Sequence, residues 1–399
     1  MSGLAYLFER FPSFTQTFCY REIGELRRQK TAPAIFSVRH PHDEPPQTWD
    51  PAVVRDVEYL SDEKTLIAEV DRALHKEKLA AAVRTAITEW GRKTDFLRLY
   101  QAAWLGPRLQ TRGVRHVHAH FAGLAARTGY WLKQFFGIGY SFTAHANDIF
   151  APKPFEVSLG KLIAEARAVV TVSDFGVRFL QGKFPQDAAR IHRVYNGIDP
   201  AIFRPADFGA ETPTIISVGR LIEKKGFQDL IEACRLLRDG GIKFRCEIVG
   251  EGPLEAELRA QIAALGLTEI VRLAGPLPQE EVIARLSQSW VFALPCVTET
   301  DGGMDQLPTV VMEAMAAGLP VVSTPISGLP EMVSDGQTGM LVSEHQPQSL
   351  AEALGCLLND RERARSLGQA GRQRASSLFA IETSARKLRH LFEGFGAVS

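Results

Sequence analysis

The sequence is poor in the features that would hold it in a membrane or staple it covalently. Only 5 cysteines occur in 399 residues, at positions 19, 234, 246, 296 and 356, and no two of them form C-x-x-C. That scatter offers no disulfide framework and no thiolate metal site, and it fits a reducing compartment. No run approaches the ~20 apolar residues that a membrane-spanning helix needs. The opening stretch MSGLAYLFERFPSF lacks the charged-then-apolar order of a signal peptide and reads as a first strand and turn. The expectation is a soluble cytosolic chain. Excess charge is missing as well, with 46 Lys+Arg against 46 Asp+Glu. A near-neutral chain without an aromatic–basic stacking motif argues against nucleic acid as a partner.

Several catalytic devices are also missing. A P-loop needs Gly five positions before a Gly-Lys pair, but Gly160-Lys161 and Gly182-Lys183 have Phe155 and Val177 there. There is no H-E-x-x-H and no G-x-S-x-G elbow. No two aspartates stand as D-x-D, so a metal-bridged diphosphate has no obvious ligands. Gly250-Glu251-Gly252 follows a candidate strand, but the third glycine of a dinucleotide fingerprint is absent.

An apolar fraction of 45% supports globular cores, and the length suits two domains or three at roughly 100–200 residues each. Short β-branched runs alternate with longer amphipathic ones. Strands are expected at 3–8, 34–38, 117–119, 140–143, 168–172 and 191–194, then at 214–218, 244–249, 271–273, 291–294, 320–323 and 340–342. Helical runs such as 16–29, 123–136, 227–238, 254–265, 280–287 and 309–317 fall between them. Alternation of this kind marks a parallel, doubly wound α/β sheet covered on both faces, and it happens twice. A Gly-, Pro-, Asn- and Asp-rich stretch at 196–213 suggests the junction. The expected domains are 1–203 and 204–380, Rossmann-like and facing each other across a central cleft. The last amphipathic run, within 381–399, is expected to return to the first domain, and residues 41–56 read as a surface excursion.

Charge is unevenly shared: 27 basic against 21 acidic residues up to Phe203, and 19 against 25 after it. Ten cations lie between Arg72 and Arg115, against Glu77, Glu89 and Asp95. Such a stretch is either a solvated helical face or a contact for an anionic membrane surface or a phosphorylated acceptor.

The most informative segment is DGGMDQLPTVVMEAMAAGLPVV, 301–322. Pro308 suits the first position of a helix and Gly318 its stop. Asp305 precedes the helix, and Glu313 lies ~7–8 Å further along its axis. Two staggered acids can hold hydroxyls at different parts of a polyhydroxylated ligand. The N–H groups of Gln306, Leu307, Thr309 and Val310 between them would seat a phosphate. In SVGRLIEKKG, Arg220 follows a strand and Lys225 precedes a helix, so both can reach ligands at the carboxyl ends of the strands. Two fixed cations can stabilise a departing diphosphate in place of a metal. In the first half, HAHF and SFTAHANDIF put His118, His120 and His145 at or after strand ends. His145 is the strongest candidate of the three for reaching a sugar or an acceptor hydroxyl. The turn after the first strand offers Ser13, Thr15 and Gln16 to the same cleft, with Ser13 and Thr15 expected to bind the donor.

Taken together, FPSFTQTF, HAHF, SFTAHANDIF, VSDF, VYNGID, VGRLIEKKGF, VGEGPLEAEL and PTVVMEAMAAGLPVVSTPISGLPEMV resemble the retaining glycosyltransferases of family 4, with the GT-B fold, over nearly the whole chain. The likeness is to bacterial exopolysaccharide transferases of the colanic-acid type. The family motif has two glutamates separated by seven residues; here Asp305 stands at the first position and Glu313 at the second. The resemblance implies that Arg220 and Lys225 bind the donor diphosphate, that Glu313 holds the ribose and that Asp305 contacts the transferred sugar. It implies that Gly219, Gly250 and Gly252 line the donor, that Leu277 lies near the base and that His145 lies near the anomeric centre. It further implies transfer from a UDP- or GDP-sugar to a saccharide or lipid-linked saccharide, with retention and with no metal or other cofactor. Such a protein would work in the cytoplasm, peripherally on the inner membrane face. Two other readings remain open: a sugar-nucleotide 2-epimerase-like isomerase, and a non-catalytic protein that only binds nucleotide sugars.

Overall fold

The computed structural model of the protein describes residues 3–42, 44, 47–91 and 93–398. It separates into two compact units, one of Met1–Glu44, Trp49–Gly197 and Ile381–Ser399, the other of Pro45–Thr48 and Ile198–Ala380.

The first unit carries strands β1 (Leu4–Arg10), β2 (Ala34–Arg39), β3 (Val57–Tyr59), β4 (His116–His120), β5 (Gly139–Ala144), β6 (Ala168–Thr171) and β7 (Ile191–Arg193). They form one parallel sheet in the order β3-β2-β1-β4-β5-β6-β7. Side chains alternate across β1, as the period of a strand requires. Leu4, Tyr6 and Phe8 enter one core with Leu388 and Phe392. Ala5 and Leu7 enter the other, with Trp104 and Leu105. The helix Ile381–Gly394 buries Ile381, Ala385, Leu388 and Phe392 at helical spacing, so the end of the chain completes the first unit's core. The strand β3 was not expected. It is three residues long, half-buried and at the sheet edge, so it carries no apolar alternation to read. The stretch 41–56 contains a short helix, Pro51–Val54, which the Asp50 side chain caps; Asp43, Pro45 and Pro46 of that stretch, like Met1 and Ser2 of the opening strand-and-turn stretch, lie outside the described residues.

The second unit carries β8 (Thr214–Val218), β9 (Arg245–Val249), β10 (Val271–Gly275), β11 (Val291–Leu294), β12 (Val321–Ser323) and β13 (Gly339–Leu341), again all parallel, in the order β10-β9-β8-β11-β12-β13. Helices Phe227–Asp239, Glu255–Ala264, Gln279–Ser287, Thr309–Ala316, Pro347–Asn359 and Arg361–Leu378 accompany it. Both sheets therefore have the Rossmann-like α/β architecture expected from the alternation. In each, the strand order reverses beside the first strand of the unit, between β1 and β4 and between β8 and β11. A crevice opens outside the carboxyl ends of the strands at such a reversal, and ligands of open α/β sheets bind there.

Candidate active site

In the second unit the segments leaving β8 and β11 flank that reversal, with β9 on the other side of β8. The segments after β8 and β9 and the end of β10 are joined by backbone hydrogen bonds: Gly219 N donates to Val249 O at 2.9 Å, Leu221 N to Glu251 O at 2.8 Å and Gly250 N to Gly275 O at 2.9 Å. A Cβ on Gly250 would lie 1.9 Å from Gly219 O, and one on Gly252 2.5 Å from Leu221 O. These two glycines are thus required by backbone against backbone, whatever ligand lies beyond. Gly226 has φ +66°, and a Cβ there would lie 1.8 Å from Pro295 O. It lets the segment after β8 press onto the segment after β11.

That close approach brings two predicted residues into contact. Lys225 Nζ lies 2.5 Å from Asp305 Oδ2, with both side chains largely buried. The Cys296 Sγ lies 3.6 Å from the same carboxylate oxygen. Burial would pull the Lys225 pKa down, but Asp305 outweighs it and the net shift is upward. Burial would push Asp305 up, but Lys225 and then Lys224 outweigh it, and its pKa falls below the usual carboxylate value. The pair is therefore ionic throughout the neutral range. Burial and the adjacent Asp305 push the Cys296 thiol far up, so it stays protonated. Neither the ion pair nor the cysteine was legible in the sequence, which supplied separate roles for the lysine and the acid.

Arg220 is exposed, and its charge is felt at Lys225. Glu313 is 6% exposed, on the helix Thr309–Ala316. Pro308 serves as that helix's N-cap, one position ahead of the first-helical place expected for it. Gln306 and Leu307 are buried before the helix, and Thr309 and Val310 are half-buried in its first turn. The Gln306 carbonyl accepts from Gly328 N at 3.0 Å. Leu277 is half-buried in the segment after β10.

The first unit places histidines at its own reversal. His116, His118 and His120 share one face of β4 and are buried. His118 is held on both sides, with Nδ1 2.8 Å from Ser141 Oγ and Nε2 3.0 Å from Thr143 Oγ1. His120 Nε2 lies 3.1 Å from Glu22 Oε1, and the Tyr6 hydroxyl donates to that oxygen at 2.7 Å. His145 follows β5 as the N-cap of the short helix Ala146–Phe150, its own N–H donating to Asp148 Oδ2 at 3.0 Å. The His145 ring packs on Phe18 and Phe121. Its Nε2 lies 3.3 Å from His120 Nδ1. Burial and then His120 push the His145 pKa well down, so the ring is neutral. Ser13 is buried and its hydroxyl donates to Glu44 Oε1 at 2.9 Å, whereas Thr15 is exposed.

Glu22, His118 and His120 offer ligand atoms within 4.8 Å of one another. A metal there would have to displace the hydroxyls on His118 and the ring on Glu22, because those atoms already satisfy each other.

The basic stretch is less free than its count suggests. Arg98 is buried, Arg108 stacks over Trp104 at 3.5 Å and faces Glu69, and Arg112 pairs with Glu58. Arg72, Lys76, Lys78 and Lys93 are exposed, and Arg92 lies outside the described residues. Among the described residues no helix is long and apolar enough to cross a membrane.

Two family models match the chain. Residues 16–202 match the family described as Glycosyltransferase Family 4, and residues 199–374 match Glycosyl transferases group 1. The chain is 39% identical over 212 residues to a putative colanic acid biosynthesis glycosyltransferase, WcaL, of Escherichia coli strain K12, covering 52% of each. It thus spans about half the length of such curated relatives. It is 30% identical to the alpha-maltose-1-phosphate synthase of Mycolicibacterium smegmatis, over 71% of this chain and 79% of that one. Its backbone is similar to that of Anabaena Alr3699/HepE in complex with UDP and glucose, with a TM-score of 0.73, 18% identity, and coverage of 98% of this chain and 100% of that one. The fold is that of the GT-B glycosyltransferases.

Proposed function

The chain belongs to glycosyltransferase family 4, and from that premise we propose that it moves a sugar from a UDP- or GDP-sugar to a saccharide or lipid-linked acceptor in cell-surface polysaccharide biosynthesis. The observation that carries this reading is the ionic Lys225–Asp305 contact at the strand-order reversal of the second unit. It keeps an ammonium charged in a largely buried place, where a diphosphate can use it without first protonating it. Arg220, exposed beside it, adds a second cation.

In this reading Arg220 and Lys225 neutralise the charge that develops on the departing diphosphate. The N–H groups of Thr309 and Val310, in the first turn of their helix, lie with the positive end of the helix dipole toward a phosphate, preceded by Gln306 and Leu307. Glu313 takes the ribose hydroxyls, Asp305 a hydroxyl of the sugar, and the backbone at Gly219, Gly250, Gly252 and Leu277 borders the nucleoside. Ser13 and Thr15 belong with the donor contacts, and His145 with the sugar or the acceptor hydroxyl. The bond from the anomeric carbon to the diphosphate oxygen breaks. The acceptor oxygen bonds to that carbon on the same face, and its proton passes to the leaving phosphate oxygen. The configuration is thereby retained, with two side-chain cations in the place of a metal. The exposed cations Arg72, Lys76, Lys78 and Lys93 supply a weak electrostatic attraction to an anionic membrane.

A thermal-shift panel of UDP, GDP and their sugars tests the donor, because selective binding raises apparent stability. One nucleotide family is expected to raise the unfolding temperature in the presence of EDTA. The same protein should then convert that donor, given an acceptor, to an α- or β-linked product with the donor's configuration. No shift with any nucleotide, or an inverted product, contradicts the reading.

A further inference from the structure

Two imidazoles in hydrogen-bond contact share their protons, and the one beside a carboxylate keeps the charge. His120 is that ring. Its Nε2 faces Glu22 Oε1 at 3.1 Å and its Nδ1 faces His145 Nε2 at 3.3 Å. We propose that Glu22 and His120 are positioning residues for His145, a buried carboxylate–imidazolium pair that holds the His145 ring in place and prevents it from taking up a proton.

The groups around the pair come from every element packed on it. Tyr6 on β1 donates its hydroxyl to Glu22, so that oxygen accepts twice. Cys19, one turn before Glu22 on the helix Thr17–Arg28, lies within hydrogen-bonding reach of the His120 ring. Its thiol pKa is pushed up by burial and held back by the His120 ring beside it. His118 on β4 meets the His120 ring edge-on and is neutral, its own pKa pulled well down by burial and by the charge of His120. Phe8 stacks on the His120 ring at 5.4 Å and closes that side to water. Burial works against a charged His120, but Cys19 and Glu22 together raise its pKa to about 10. With both of its nitrogens protonated, His120 donates to Glu22 and to His145. The Nε2 of His145 is then an acceptor turned inward, and His145 faces its surroundings as a neutral ring that cannot act as a strong acid.

This inference rests on the reading of His145 as a residue of the sugar site, and its test separates the two. Nitrogen-15 spectra of the histidine rings in the 399-residue chain report protonation with no substrate present. The expected result is one histidine doubly protonated from pH 6 to 8, lost in His120→Asn and converted to a neutral ring in Glu22→Gln, while His145 stays neutral in the wild type. In the transfer assay Glu22→Gln should lower kcat by roughly tenfold to a hundredfold, as a displaced reacting group does, with the donor KM little changed and with a pH profile that now bends near neutrality. Glu22→Asp, which keeps the charge and is the safer variant for folding, should recover part of the loss. A neutral His120 in the wild type, spectra unchanged in Glu22→Gln, or stoichiometric zinc on these side chains overturns the proposal. An intact proton pattern in a protein without transferase activity would instead count against the sugar-site reading alone.

Discussion

The two units share a strand order and differ in what they place at its reversal. Nine of the ten histidines lie in the first unit, four of them buried on or after β4 and β5. The second unit has only His345, which is exposed. It has instead an ion pair, an exposed arginine and glycines packed against backbone. The same scaffold thus presents hydrogen-bonded imidazole rings in one unit and an ammonium–carboxylate pair with an exposed guanidinium in the other. Architecture sets where a ligand can lie; the few residues after each strand set what it meets.

The largest effect is expected from the charged side. Arg220→Ala removes an exposed cation with no buried partner to strand, and kcat should fall by about 10²–10³, the cost of losing one preorganised charge-stabilising group. Steady-state kinetics decide it, and a loss confined to KM would mean that Arg220 binds the donor without assisting departure. Asp305→Ala should destabilise as well as inactivate. Leaving Lys225 buried and unpaired costs on the order of 3 kcal/mol, read as a lower midpoint in urea, while Asp305→Glu should recover most of the stability.

Acid should separate the units further. Burial, then Arg167, lowers the His116 pKa to about 3, and burial first among the causes lowers His118 and His145 well below 6.5. The unfolded chain therefore binds protons that the folded unit refuses, and stability falls as pH drops below about 6.5, by roughly 1 kcal/mol per such histidine over the first unit of pH. His120 has the opposite sign: its raised value adds stability below pH 6.5 that is lost as pH rises toward 10. In the second unit the lowered Asp305 holds its stabilisation until pH falls below the ordinary carboxylate range, about 4. Hydrogen exchange read by mass spectrometry between pH 7 and 5 should show peptides of the first unit loosening before those of the second; simultaneous loosening breaks the comparison. The smallest effect belongs to the surface. Flotation with anionic vesicles should be weak and abolished by salt, because so few cations of the 72–115 stretch are exposed and unpaired.

Most of the fold was legible because parallel strands buried on both faces are short, apolar and separated by amphipathic helices. Among the described residues, twelve of the thirteen strands fall where the pattern put them; β3 escaped because an edge strand of three half-buried residues has no pattern. The site was legible only in parts. Glu313 and Asp305 are readable from a helix and its approach, yet the Lys225–Asp305 contact spans two segments eighty residues apart, which periodicity cannot join. Glu22 reads as an ordinary helix residue, and only the fold brings it to His120. Gly250 and Gly252 were assigned to ligand contact, and the structure gives each a reason in backbone packing.

The claim that a sugar nucleotide's diphosphate is gripped by the second unit is tested most directly by calorimetric titration of UDP and GDP into the wild-type protein and into Arg220→Ala, in EDTA. One nucleotide should bind the wild type and lose at least tenfold in affinity in the variant, about 1.4 kcal/mol. Equal affinity for both proteins would contradict it.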